Sequence, residues 1–130
     1  MVDTDVVIAA LDRSDAHHAE AAAAIRAMLG DGEELMVSTV NYAEALVRPA
    51  QRGATLITAV DAIFSLDIRP IPPSAAVARD AAQHRSLGIS LADGFALATA
   101  QARSASCASF DRRVRRAMAQ VGIDDGLDRD

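Results

Sequence analysis

Short apolar runs that alternate with longer stretches of helical spacing constrain this chain more than any other feature. LMVS at 35–38, IRPI at 68–71 and SCASF at 106–110 are too brief for helices. Between them lie alanine-rich segments such as AEAAAAI and FALATAQA, which favour helix. Strands separated by helices predict an α/β fold with a central, mostly parallel sheet flanked by helices.

Element by element, the opening MVD is predicted as a very short strand, followed by a short helix over VVIAALD. Ser14 is expected to cap a helix over 15–29 that Gly30 closes, with GDGEE as a surface turn. After LMVS a helix is expected from Thr39 to about Arg48, because Pro49 discourages continuation. From Ala54 to Leu66, the residues Leu56, Ile57, Val60, Ile63 and Phe64 form one apolar helical face, assigned to the core. PPS opens a helix to about Leu87, and another spans Leu91 to Arg103. SCASF then leads into a last helix, DRRVRRAMAQ, with Val114, Met118 and Val121 inward and VGI as a candidate edge strand. Residues 1–123 form one domain in this reading, and 124–130 an acidic, frayed tail.

A chain of 130 residues with 51% hydrophobic content is long enough to bury a core. All 13 basic residues are arginine, which removes every mechanism that needs a lysine. The net charge of −5 argues against a protein coated with basic charge for nucleic acid. It is compatible with carboxylates that bind metal, because the working charge is then that of the loaded site. Aromatic content of 3% without tryptophan makes a base-stacking surface a poor fit. Cys107, the single cysteine, reads as a small buried residue. The N-terminus lacks the positive charge of a signal peptide, and no apolar run spans a bilayer, so a cytoplasmic protein is expected.

Chemistry, if present, lies with the acids. In open parallel sheets sites form outside the carboxyl ends of the strands. Asp3 ends the first predicted strand and Asp111 follows SCASF. Glu44 lies on the helix after LMVS, and Asp93 in the first turn of the helix LADGFALATA. Two bare carboxylates 5 Å apart repel by roughly 3 kcal/mol at an effective dielectric of about 20. Such a cluster protonates or binds a hard divalent ion, and the all-oxygen set suits Mg²⁺ or Mn²⁺ rather than zinc. Each acid also has an ordinary reading. Ser90 to Asp93 fits a capping box, Asp111 an N-cap, Glu44 a surface pair with Arg48, and Asp3 a strand end.

The segments VDTDVVIAAL, STVNYAEAL, SLADGFALATA and ASFDRRV, in this order and spacing, resemble the PIN domain over nearly the whole chain. More narrowly they are similar to the VapC-type toxins of bacterial toxin–antitoxin pairs. The resemblance implies a three-layer α/β sandwich and a Mg²⁺- or Mn²⁺-dependent ribonuclease. Its catalytic acids would be Asp3, Glu44, Asp93 and Asp111, with Asp3, Asp93 and Asp111 on the metal. Thr4 and Ser109 would orient a metal-bound water or else cap backbone groups, and Asp5 would add a fifth carboxylate through metal or water contact or else face solvent. It further implies an RNA substrate, a cognate antitoxin that covers the acidic pocket, and a homodimer. The apolar helix face from Leu56 to Phe64 is then also a candidate dimer or antitoxin groove. Two departures stand out: fewer residues precede the first acid than is usual, and Asp5 replaces the more common Ser or Asn.

Arg112, Arg113, Arg115 and Arg116 flank Asp111 and are candidate RNA phosphate contacts, or else the solvated face of an amphipathic helix. His17, His18 and His84 read as surface residues. One rival is a haloacid-dehalogenase-type phosphatase, with Asp3 as nucleophile, Asp5 as general acid/base and late acids at Asp124 and Asp125. The missing lysine and short chain oppose it, and the same lysine excludes a receiver domain. A PIN scaffold that only binds a partner is the non-enzymatic alternative, and the presence of all four acids opposes that.

Overall fold

In the computed structural model, which describes residues 1–128, the sheet is narrow and every described pairing is parallel. Strand β1 (Leu35–Ser38) pairs with β2 (Ile68–Ile71), setting Leu35 against Ile68 and Ser38 against Ile71. The N-terminal segment lies on the other side of β1, where the Val2 N–H donates to the Met36 carbonyl at 2.8 Å. Val2 also bridges Ala108, with Asp3 N–H to Ala108 O and Ala108 N–H to Met1 O both at 2.9 Å. Outermost, Cys107 bridges Asp125, through Cys107 N–H to Asp124 O at 3.0 Å and Gly126 N–H to Cys107 O at 2.8 Å. The spatial order is thus β2, β1, residues 1–3, residues 107–108, residues 124–126.

Around this sheet run α1 (Thr4–Leu11), α2 (His18–Gly30), α3 (Thr39–Gln51), α4 (Thr55–Ser65), α5 (Ala75–Gln83), α6 (Leu91–Ala102) and α7 (Arg112–Val121). The strand pleat divides their packing. Val2, Leu35, Val37, Ile68 and Ala108 belong to a core shared with α1, α2, α3 and α4. Met1, Met36, Ile71 and Cys107 belong to a second core shared with α6 and α7. Helices therefore flank a small parallel sheet in three layers, as the alternation of runs predicts.

Five local expectations need correction. Helix α2 starts at His18 rather than near residue 15, because the capping groups are used in the preceding turns. Both the N–H and the hydroxyl of Ser14 donate to Asp12 Oδ1, and the His17 N–H donates to Asp15 Oδ1. Pro49 does not stop α3 at residue 48; it sits in the last turn, where its missing N–H removes a single intrahelical bond. The edge pairing falls at Asp124–Gly126 rather than at VGI, so the acidic segment starts inside the sheet; residues 129–130 lie outside the described part.

The fourth concerns α4, which is apolar on more than its inner stripe. Leu56, Val60 and Ile63 follow inward helical spacing and Ile63 is buried, whereas Ile57 is 70% exposed and Phe64 is 83% exposed. These two, seven residues apart, share an outer face. The expected helix to Leu87 ends at Gln83 and continues as one 3₁₀ turn, His84–Leu87.

Helix α6 is pressed against α5 at Gly94, where an added Cβ would lie 2.7 Å from the Ala81 carbonyl oxygen. Replacing a helical glycine by alanine ordinarily stabilises by about 1 kcal/mol. Here the sign should reverse, because the obstacle is backbone. Gly94→Ala is expected to lower stability by roughly 1–3 kcal/mol in urea denaturation; equal or greater stability would contradict the close approach.

Candidate active site

The middle of the sheet delivers Asp3 to its carboxyl edge. Asp3 is only 2% exposed, and its carboxylate is met by donors from separate parts of the chain. Oδ1 accepts from the Thr4 N–H at 2.9 Å and from Asn41 Nδ2 at 3.3 Å, and Oδ2 accepts from the Ser109 hydroxyl at 2.9 Å. These bonds favour the anion, but burial disfavours it more, and the charges of Asp5 and Asp93 add to that. The Asp3 carboxyl is pushed from its ordinary 3.8 up to about 7.

The other acids surround it. Asp5 Oδ2 accepts from the Phe110 N–H at 3.0 Å and from the Ser109 hydroxyl at 3.4 Å, while its Oδ1 is buried without a partner among the described residues. Burial raises its pKa, with a smaller contribution from the charge of Asp111. Glu44 sits exposed on α3, and its Oε1 accepts from the Thr4 hydroxyl at 2.5 Å rather than pairing with Arg48.

Asp93 and Asp111 perform their ordinary roles as well. Asp93 Oδ2 accepts from the Ser90 N–H in a full capping box at the start of α6. Asp111 Oδ1 accepts from the Arg113 and Val114 N–H groups at the start of α7. Each cap occupies one carboxylate oxygen, and the other oxygen of each has no hydrogen bond among the described residues. Ser109 couples Asp111 to the centre, since its Oγ accepts the Asp111 N–H at 3.1 Å while donating to Asp3.

Thr4 thus links Glu44 to the start of α1, Ser109 links Asp111 to Asp3, and Asp93 is near enough for its charge to act on Asp3. Asn41 was not among the selected residues. It is fully buried, touches Asp3, Thr4 and the Ala92 carbonyl through Nδ2, and leaves Oδ1 without a partner. Its three-residue spacing from Glu44 puts both on one side of α3, the one sequence signal that points to it.

The histidines are engaged rather than idle. His17 stacks on Phe110 with ring centroids 4.4 Å apart, His18 Nδ1 bonds the Ala9 carbonyl, and His84 bonds Gln101. Cys107 is buried as expected, and its thiol is pushed up to about 12 by burial, so it is not a nucleophile at neutral pH.

Of the four arginines, Arg115 is held by Asp125 through bonds of 2.8 and 3.0 Å. Arg112, Arg113 and Arg116 make no ion pair among the described residues. Arg113, Arg116 and Gln120 face Leu87 and Gly88 across a hollow of about 240 Å³. A larger one of about 740 Å³ lies along Arg112, Arg115 and Arg116 towards Asp124 and Asp125. None of the four acids lines either hollow, so the arginines form a flank rather than a floor.

The donor chemistry here suits a hard divalent cation: oxygen only, with a buried carboxyl whose anionic form lacks full compensation. Among the described residues, no group of three or more His, Cys, Asp and Glu side chains is already drawn tightly enough to hold an ion. The acids are gathered, and a cation would have to draw them closer. The sequence matches the PIN domain family over residues 1–119. The chain belongs to the PIN-domain family. PIN domains are generally nucleases and typically use divalent metal ions, which displaces the phosphatase reading of Asp3 and Asp5. Among curated proteins no match to the sequence was found.

In this PIN domain the raised Asp3 pKa carries a stability consequence. The folded chain holds the Asp3 proton until about pH 7, whereas an unfolded chain releases it near 3.8. Between those values the folded state binds more protons, so stability falls as pH rises. The displacement amounts to roughly 4 kcal/mol at most. Metal-free protein in chelator should therefore melt lower at pH 8 than at pH 5, and Asp3→Asn should flatten that dependence and raise the pH 8 value. A wild-type melting temperature that climbs steadily from pH 5 to pH 8 would refute the charge imbalance.

Proposed function

We propose that this PIN domain is a Mg²⁺- or Mn²⁺-dependent endoribonuclease, and that it acts as the VapC-type toxin of a toxin–antitoxin pair in the cytoplasm. The observation that carries the reading is the buried Asp3 carboxylate with Glu44, Asp93 and Asp111 gathered about it on four separate segments. Asp3, Asp93 and Asp111 are the residues that would hold the ion, and Glu44 borders them through Thr4. A bound divalent ion supplies an electrophile for the phosphodiester and acidifies an attacking water.

The chain's own groups do the rest. Thr4 and Ser109 hold their hydroxyl protons toward carboxylate oxygens, which fixes how those oxygens present their free lone pairs. Arg112, Arg113 and Arg116, free of ion pairs among the described residues, suit phosphates flanking the scissile bond. The exposed Ile57 and Phe64 on α4 support a protein partner, either a second copy in a homodimer or the antitoxin. No helix among the described residues is long and apolar enough to cross a membrane.

Two of the acids allow chemistry to be separated from folding. Asparagine serves as well as aspartate at the N-cap, where Asp111 sits, and at position 93 its amide oxygen can still accept from the Ser90 N–H. Asp93→Asn and Asp111→Asn should therefore keep the melting temperature within a few degrees while RNA cleavage in Mg²⁺ or Mn²⁺ falls at least a hundredfold. Full cleavage by both variants, or wild-type cleavage that persists in chelator, would end the metal-nuclease reading. Replacing Arg113 and Arg116 by glutamine should weaken RNA binding and shallow its log–log salt dependence by about one to two. An unchanged slope in fluorescence anisotropy would remove the arginines from the RNA path. Co-expression with the protein encoded beside it should give a complex without ribonuclease activity; a neighbour that neither binds nor inhibits would argue against the toxin role.

A further inference from the structure

Helix α3 sends Asn41 as well as Glu44 to the acid cluster, and Asn41 does the more connecting. Its Nδ2 lies 3.3 Å from Asp3 Oδ1, 3.0 Å from Thr4 Oγ1 and 3.2 Å from the Ala92 carbonyl. Two N–H bonds serve three acceptors, so at least one is shared. Thr4 Oγ1 donates onward to Glu44, and Ala92 is the residue before Asp93. Asn41 therefore touches Asp3 directly, reaches Glu44 through one hydroxyl and reaches Asp93 through one peptide.

Packing alone does not account for an amide here. Asn41 is fully buried, and its Oδ1 has no hydrogen-bond partner among the described residues, a desolvation that a side chain selected for packing alone would avoid. Charge matters too. A cationic side chain at this point would stand in for a metal ion, and a carboxylate would add to the repulsion already felt at Asp3. A neutral donor can bind the segments together without doing either.

We propose that Asn41 is a positioning residue of this active site: its amide ties the first turn of α6 to Asp3 and Thr4, and so keeps Asp3, Glu44 and Asp93 near enough for one divalent cation to draw together. The inference rests on the metal-nuclease reading above. Without the tie, repulsion between Asp3 and Asp93 opens the gap between α6 and the sheet edge, and the acids separate while the fold survives.

The test compares wild type with Asn41→Leu, which keeps the shape and removes the donors. Mn²⁺ affinity is read by electron paramagnetic resonance of the free ion, and stability by thermal melting. The variant should stay folded, melt below wild type because Asp3 and the Ala92 carbonyl lose a buried donor, and bind Mn²⁺ at least tenfold more weakly. A residue with only a structural role would move melting and leave affinity alone. A folded Asn41→Leu protein that binds Mn²⁺ within twofold of wild type overturns the proposal. Should that variant fail to fold, the wild-type protein decides by nuclear magnetic resonance during a Mg²⁺ titration. The side-chain amide protons of Asn41 should shift together with the backbone amides of Asp3 and Asp93, and exchange more slowly with solvent. If the backbone amides move and the Asn41 amide does not, the positioning role is wrong. If none of them moves, the metal-nuclease reading fails, and this inference with it.

Discussion

A carboxylate withdrawn from water at the centre of the sheet edge is the constraint on which the rest of this structure depends. Burying Asp3 requires donors, and they come from the start of α1, from α3 and from the segment before α7. The contacts that hold these segments at the sheet edge are therefore the same contacts that assemble the site. Removing one donor leaves a buried acceptor less satisfied and also frees an acid-bearing segment, so stability and chemistry are coupled here by geometry.

So short a sheet can support that burden because both of its faces are covered. Residues 1–3 make up only a minimal strand, yet their backbone bonds run to Met36 on one side and Ala108 on the other. Met1 and Val2 insert into opposite cores. On the second face, Gly94 lets α6 lie directly against the backbone of α5. That close seat also decides where the first turn of α6, and with it Asp93, meets the sheet edge.

Much of this was legible in the sequence, and the failures share a cause. LMVS is buried at all four positions and IRPI at its two ends, and runs of that length have little else to be. The acids stood out as candidates because Asp3, Asp93 and Asp111 lie at strand ends or helix starts, where side chains collect at the edge of a parallel sheet. Local side-chain competition was harder to see: Asp12 takes Ser14 before Ser14 can cap α2. Periodicity marked α4 as apolar but could not say that Ile57 and Phe64 would face outward, since that depends on how much of the helix the sheet can reach. Asn41 was missed because an asparagine in a helix carries no chemical signature until its three acceptors, distant in sequence, are brought around it.

The ordinary and the functional readings of the acids are not alternatives. A carboxylate has two oxygens with two lone pairs each, and a helix cap engages one oxygen. Asp93 and Asp111 cap α6 and α7 with one oxygen each and keep the second free of hydrogen bonds among the described residues. The positive ends of those helices also offset part of the charge gathered at the sheet edge. Backbone dipoles and hydroxyls thus stabilise the outer acids, while Asp3, the most deeply buried, retains a pKa near 7 despite its donors. The remaining imbalance sits on the acid bonded from α1, α3 and the segment before α7. A small, hard, doubly charged ion corrects such an imbalance where further neutral hydrogen bonds cannot, because it brings net positive charge to the carboxylates.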